Sequence, residues 1–255
     1  MTAGTATDAP GEVVTAAMLV IGDEILSGRT KDKNIGYVAD YLTAIGIDLL
    51  EVRVVPDVTE RIVEAVNALR PRYTYVFTSG GIGPTHDDIT ADAIALAFGV
   101  AIDIDPRAVA MMSERFPGQQ LTPARLRMAR IPAGADLIAN PVSKAPGFRI
   151  GNVHVMAGVP AIMQAMLDEI GPTLKTGRRL LSETIEAGLP ESIVAEPLGA
   201  IAAANPDTMI GSYPFHDGNR FATRLVVRAR DPARLAAVAA EVAAMVEAAR
   251  AAAKP

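Results

Sequence analysis

"YTYVFTSGGIGPTHDDIT", residues 73–90, settles how the chain is organised. An apolar, β-branched and aromatic run (73–78) reads as a buried strand. It breaks into Ser79-Gly80-Gly81-Ile82-Gly83-Pro84, and Thr90 then opens a helical pattern with Ile94 and Phe98 on one side. A strand that turns through glycines into a helix is the βα half of a parallel crossover unit.

Working outward, the same alternation recurs upstream. "AAMLVI" (16–21) reads as a buried strand ending at Gly22-Asp23-Glu24. Ile35, Val38, Leu42 and Ile45 share a helical face, with Gly46 in place for a C-terminal cap. "IDLLEVRVV" (47–55) is the next strand, ending at Pro56-Asp57, and Ile62, Val66 and Leu69 line the next helix. The expected fold is therefore α/β, a three-layer αβα sandwich with a mostly parallel sheet. Ligands in such sheets bind outside the carboxyl ends of the strands. Gly22-Asp23-Glu24, Pro56-Asp57 and Ser79–Asp88 all follow strands, so they are expected to converge on one edge.

Further on, residues 106–130 read as short helices and "NPVSKAPGF" (140–148) as a loop. "FRI" and "VHVM" read as a hairpin across Gly151-Asn152, and 160–170 as a helix. Beyond "GPTLKTGR" (171–178) the pattern is strand (179–186), helix (191–204), strand (208–213), strand (220–229) and an Ala-rich helix (232–252). That is a small α+β domain of the βαββα kind. The expected division is a disordered tail over 1–14, an α/β ligand-binding domain over 15–175, and the small domain over 176–255.

Composition narrows the function. Half of the 255 residues are hydrophobic but only 4% are aromatic, so aliphatic side chains must fill the core. The net charge of −5 argues against a nucleic-acid partner held by phosphate attraction. With no cysteine there is no disulfide, thiol catalysis or thiolate-held metal. Residues 1–12 lack the basic start and apolar stretch of a signal peptide, and no apolar run approaches a membrane span. A cytoplasmic location is the expectation.

The chemistry concentrates in a few residues. Gly80, Gly81 and Gly83 fit either a phosphate cradle of bare backbone N–H groups or a tight turn. Thr90 reads as the cap of the following helix, which leaves Asp87-Asp88 surplus to capping. Paired carboxylates beside a phosphate cradle suit Mg²⁺, which takes one or two carboxylates and substrate oxygens. Asp57 is balanced between this role and a helix cap in Asp57-Val58-Thr59-Glu60. Lys144 offers a point charge to a phosphate, against the commoner reading of a solvated surface lysine. His86, His154 and His216 are scattered and do not suggest a metal held by imidazoles.

Several stretches together resemble the molybdopterin-binding domain family, in its CinA-like (competence/damage-inducible) subgroup, whose domain also occurs in eukaryotic FAD synthases. They are "IGDEILSGRTKDKN" (21–34), "VVPD" (54–57), "SGGIGPTHDDIT" (79–90), "NPVSKAPGF" (140–148), "AGVPAIM" (157–163) and "GSYP" (211–214). The resemblance implies binding of a pterin or nucleotide pyrophosphate with a divalent metal (Mg, or Mn or Co). It points to hydrolysis of an ADP-ribose- or FAD-like pyrophosphate. Alternatives are a molybdopterin adenylyltransferase-like transfer in molybdenum cofactor biosynthesis and a non-catalytic carrier of molybdopterin or a nucleotide. It implies Asp57, Asp88 and Lys144 as catalytic residues and Asp57, Asp87 and Asp88 as metal ligands. The expected substrate contacts are Gly22, Asp23, Glu24, Asn34, Ser79, Gly80, Gly81, Gly83, Pro84, Thr85, Thr90, Gly158 and Pro160. A homo-oligomer, dimer or trimer, is expected by the same likeness. Asp23, Ser143-Lys144 and Ala157 depart from the family's pattern around the pocket. The deamidase domain that follows in full-length CinA proteins is not in this sequence, so its activity is not expected.

Overall fold

The computed structural model describes residues 12–216, 218 and 221–253. Two compact units divide between Gly177 and Arg178.

In the larger unit, β1 (Val14–Ile21), β2 (Ile47–Val55), β3 (Tyr75–Ser79) and β8 (Val153–Met156) are mutually parallel, and the six-stranded sheet runs β2-β1-β3-β8-β7-β6. β7 (Gly147–Ile150) and β6 (Asp136–Ile138) close it as antiparallel strands. The hairpin expected across Gly151-Asn152 is present, and its second arm is also the fourth parallel strand. β1 is buried along almost its whole length, and its residues alternate between two cores. Ala17, Leu19 and Ile21 point to one side, packing with α3 (Thr59–Leu69) and α4 (Thr90–Phe98) through Ile62, Val66, Leu69 and Ile94. Ala16, Met18 and Val20 point to the other, with α2 (Asn34–Ala44) and α7 (Pro160–Ile170) through Val38, Leu42, Met163 and Met166. A strand apolar on both faces demands helices on both faces, which makes the three layers. Gly46 (φ 80°) and Gly99 (φ 66°) end α2 and α4 in the left-handed region, as a glycine there predicts.

Several elements differ from the sequence reading. A four-residue helix, α1 (Asp23–Leu26), follows β1 directly. β4 (Ile102–Ile104) and β5 (Arg130–Pro132) form a separate two-stranded ribbon, and with β6 they are three-residue strands too short to show a period. The short helices expected between 106 and 130 are α5 (Pro106–Ser113) and α6 (Pro123–Arg127). Residues 1–11 of the expected tail lie outside the described residues, and β1 already takes in Val14.

The smaller unit has the order β9 (Leu181–Glu186), α8 (Glu191–Ala204), β10 (Met209–His216), β11 (Phe221–Ala229) and α9 (Pro232–Ala252). Its antiparallel sheet runs β10-β11-β9. Leu235, Val238, Val242 and Val246 pack α9 against Leu225 and Val227, with α8 contributing Val194, Leu198 and Ile201. Among the described residues no helix is long and apolar enough to cross a membrane.

Candidate functional site

Because β1, β2, β3 and β8 run the same way, the residues after each strand meet at one edge. Gly22 N–H donates to Val55 O at 3.1 Å, and Gly80 N–H donates to Met156 O at 3.2 Å, which ties the ends of β1 and β2 and the ends of β3 and β8 in pairs. There the larger unit opens a cleft of about 560 Å³. Of the candidate site residues, Gly22, Glu24, Asp57, Gly80, Gly81, Gly83, Pro84, Asp87, Asp88, Gly158 and Pro160 line it. Thr30, Ile82, Met128, Asn140, Ser143 and Ala145 also line it and were not among the expected contacts. Asn140 is the organiser of its loop. Its carbonyl oxygen accepts from Val142 and Ser143 N–H, and its amide donates to Ser143 Oγ and Ala145 O. The residues of "NPVSKAPGF" read only as a loop, and it was the family resemblance that set Ser143-Lys144 around the pocket.

The glycines split into two kinds. Gly80 (φ 114°) and Gly81 (φ 67°) are demanded by the turn: a Cβ on Gly80 would strike the Ile21 carbonyl oxygen, and one on Gly81 the Thr90 hydroxyl. Gly83 lies against the Asp88 carboxylate. Among the described residues the N–H groups of Gly81, Ile82 and Gly83 have no hydrogen-bond acceptor, a row of three consecutive donors at the cleft. Such a row is an anion-binding arrangement.

Thr90 is not a cap. Ile89 occupies the N-cap position of α4, while Thr90 Oγ1 donates to Gly80 O at 2.9 Å and Thr90 N–H to Gly81 O at 3.0 Å. It is buried and clamps the glycine turn from behind. Thr85 likewise serves the loop: its N–H and hydroxyl donate to Asp88 Oδ2 at 2.8 and 2.5 Å, leaving Asp88 Oδ1 unused by Thr85.

Asp57 does not cap α3 either, since Val58 holds that position without a side-chain bond. The Asp57 carboxylate instead accepts from Asp23 N–H at 3.0 Å, joining the end of β2 to the start of α1. Burial, and the nearby charges of Asp23, Glu24 and Asp87, hold its carboxyl above the usual aspartate range. Asp23 thus contributes its backbone to the site.

Asn34 and Ser79 sit behind the cleft as a clasp. Asn34 is buried, and its amide donates to Ser79 Oγ and Gly158 O at 2.8 Å each; Ser79 Oγ donates to Ala157 O at 3.3 Å. Neither lines the cleft. Gly158 in turn lets its loop rest on Gly80, whose Cα would be 3.2 Å from a Cβ there.

Lys144 is not brought to the carboxylates. Its Nζ pairs with Glu114 at 3.0 Å, and Ser143 and Ala145 line the cleft on either side of it. It has positive φ, 66°, because Asn140 O takes its N–H and turns the chain there. In this structure Lys144 is therefore paired away from the carboxylates of the cleft. His86 is fully exposed, and His154 is buried in β8 between the rings of Tyr75 and Phe77.

The lining thus carries four carboxylates, Glu24, Asp57, Asp87 and Asp88, and no basic side chain. Among the described residues no three carboxylates or imidazoles stand close enough to form a ready metal cage. A divalent ion that takes one or two carboxylates and completes its shell with substrate oxygens fits this set. The apolar part of the lining, with Ile21, Ile82, Met128, Val159 and Ile162, suits a flat ring.

Residues 17–176 match the family described as probable molybdopterin binding domain, and residues 179–254 match the FAD synthase middle domain. A protein of Caldivirga maquilingensis is 35% identical over 198 residues, 74% of this chain and 77% of that protein. A CinA-like protein of Citrifermentans bemidjiense is 39% identical over 204 residues, 74% of this chain and 49% of that protein, so the match spans about half its length. Among solved structures, the protein CinA of Thermoplasma acidophilum, described as of unknown function, aligns with a TM-score of 0.60 at 35% identity. It covers 63% of this chain and 98% of that one.

Proposed function

Since the chain belongs to the molybdopterin-binding domain family, as a CinA-like member carrying a FAD synthase middle domain, we propose that its cleft hydrolyses a nucleotide pyrophosphate with a divalent cation. ADP-ribose and FAD are the type of substrate, and Mg²⁺, Mn²⁺ or Co²⁺ the type of ion. The observation that carries this reading is that Gly81, Ile82 and Gly83, whose N–H groups have no acceptor among the described residues, line the same cleft as the carboxylates of Glu24, Asp57, Asp87 and Asp88. Free donors invite phosphate oxygens, and acids in the same cleft tolerate them only with a cation present.

In this reading the N–H row holds the oxygens of one phosphate and stabilises the charge that grows on them in the transition state. Asp87 and the unused Oδ1 of Asp88 are the two groups that would hold the ion, which leaves Asp57 free. The ion, when bound, supplies neutralisation between those carboxylates and the pyrophosphate. Asp57, already disposed to take a proton, accepts one from the attacking water as its oxygen bonds to phosphorus. The bridging P–O bond breaks, and the second phosphate leaves. Ile21, Ile82 and Met128 shelter the base or flavin ring.

The test is incubation with ADP-ribose, FAD and NAD in the presence of each ion, comparing the natural chain with Asp57→Asn and Asp88→Ala. Turnover of at least one substrate, abolished in Asp57→Asn and sharply reduced in Asp88→Ala, is expected. No turnover with any substrate, or turnover indifferent to both changes, overturns the reading. Tight binding without turnover would favour a carrier, and adenylated pterin formed from ATP and molybdopterin a transferase.

A further inference from the structure

A cleft for a pyrophosphate normally presents at least one cationic side chain, and this one presents none in its lining. The candidate lies just behind its wall. A small hollow of about 20 Å³ shares Gly81, Ile82, Gly83, Asp88 and Met128 with the cleft, so the glycine loop separates the two. Two arginines border that hollow, and they are held very differently. Arg130 is locked by a two-pronged pair with Asp92, at 2.7 and 2.5 Å. Arg127, the last residue of α6, makes no salt bridge among the described residues. Its Nη2 makes one long hydrogen bond, 3.4 Å, to the Asp88 carbonyl, and its Nε–H is sealed from solvent with no acceptor at all.

An unsatisfied buried guanidinium N–H is costly, and such groups persist where something else supplies the acceptor. Among the described residues, the one side-chain bond that positions Arg127 is weak by its length. Its neighbour Met128 already lines the cleft. The geometry points to Arg127 as the anion-binding side chain of this site. Its guanidinium gives up the Asp88 carbonyl and takes the non-bridging oxygens of the pyrophosphate held at Gly81–Gly83. The planar fork of arginine suits two oxygens of one phosphate, which a point charge such as lysine does not match. The inference rests on the pyrophosphate reading of the cleft, and needs no assumption about hydrolysis.

The probe is therefore inorganic pyrophosphate, with binding to the full chain measured by calorimetry in Mg²⁺ and again in EDTA, while ADP-ribose turnover is followed separately. Arg127→Met is expected to weaken pyrophosphate binding at least about tenfold, the loss typical of a charge-assisted bond, and to leave binding of uncharged adenosine unchanged. Arg125→Met, on the same short helix but stacked on Phe116, should bind pyrophosphate like the natural chain. If Arg127→Met does not fold, Arg127→Lys is read instead, with a smaller loss expected. Pyrophosphate binding equal to the natural chain in the Arg127 variant overturns the inference, as does a natural chain that binds none. Binding lost in the variant while ADP-ribose is never hydrolysed would sink the hydrolase reading and leave Arg127 in place. Normal hydrolysis with pyrophosphate binding unchanged in the variant would do the reverse.

Discussion

The carboxylate of Asp57, at the end of one strand, accepts the backbone N–H of Asp23, at the end of its neighbour, across 3.0 Å. Two roles meet in that residue, a bond that holds two loops together and a charge that faces the cleft. They can be separated. Asn at 57 keeps an oxygen to accept from Asp23 N–H but removes the negative charge. Asp57→Asn should fold within about 1 kcal/mol of the natural chain, the scale of one retained hydrogen bond. It should lose ~100-fold or more in ADP-ribose turnover, the scale of general-base catalysis. Thermal unfolding beside steady-state turnover checks both halves. Equal damage to stability and turnover would make the residue structural only.

Lys144 gives the contrasting expectation. Its ion pair with Glu114 is solvent-exposed on both sides, with side chains 40% and 60% exposed. Such pairs are worth little. Lys144→Ala should leave turnover within about twofold and the unfolding midpoint nearly unmoved. A large fall in turnover would return the lysine to the site.

Asn34 holds the Ser79 and Gly158 loops with two 2.8 Å bonds, the one to Ser79 buried and the one to Gly158 partly so. Asn34→Ala removes both bonds and leaves the buried Ser79 hydroxyl without this partner, a loss of about 1–2 kcal/mol. Urea unfolding of the isolated variant should show a lowered midpoint with unchanged slope. An unshifted midpoint would mean that the clasp contributes nothing.

Two left-handed glycines should respond unequally to alanine. At Gly99 a Cβ meets open space, so only backbone strain is added, about 1 kcal/mol. At Gly80 the Cβ runs into the Ile21 carbonyl, which the sheet holds in place. Gly80→Ala should cost about 3 kcal/mol or more, read as the difference in unfolding free energy. Similar losses at the two positions would refute the close approach.

His154 ties stability to pH. Burial, and then the charge of Arg149 opposite it on the neighbouring strand, push its pKa down to about 4 from 6.5. The unfolded chain therefore binds a proton that the folded one refuses between those values. Stability from this residue is complete above pH 6.5 and falls as pH drops toward 4, by about 3 kcal/mol in all. Carboxylates titrate in the same range, so the informative quantity is the difference between the natural chain and His154→Leu across pH 7 to 4. Parallel curves would show that the histidine is not responsible.

The α/β alternation was legible because α2, α3 and the long parallel strands each carry a full period of apolar residues. The ribbon of β4 and β5 was not, since three residues cannot display a period. At the site, residue types pointed to loops that the structure brings to one cleft. Thr90 nonetheless read as a cap, and Asp57 as evenly a cap or a metal ligand, because sequence neighbours suggested partners that tertiary contacts replaced. Thr90 faces Gly80 and Asp57 faces Asp23, positions set by the stacking of β1, β2 and β3. Asn34 and Ser79 were recognised as important, but their bonds point inward to the loops. Arg127 gave no signal at all, since a lone arginine in a short helix resembles any surface residue.

The clasp also has a kinetic side. Asn34 reaches Gly158 across 124 positions of chain, and Ser79 reaches Ala157 across 78. Neither bond can form until the eighth strand has slotted in beside the third. Closing loops of that length is slow, and a sheet built from distant strands assembles late. The cleft is therefore among the last features to appear on refolding, after the helices have gained their far-ultraviolet signal. Recovered ligand binding is then a more stringent measure of the native state than recovered helicity.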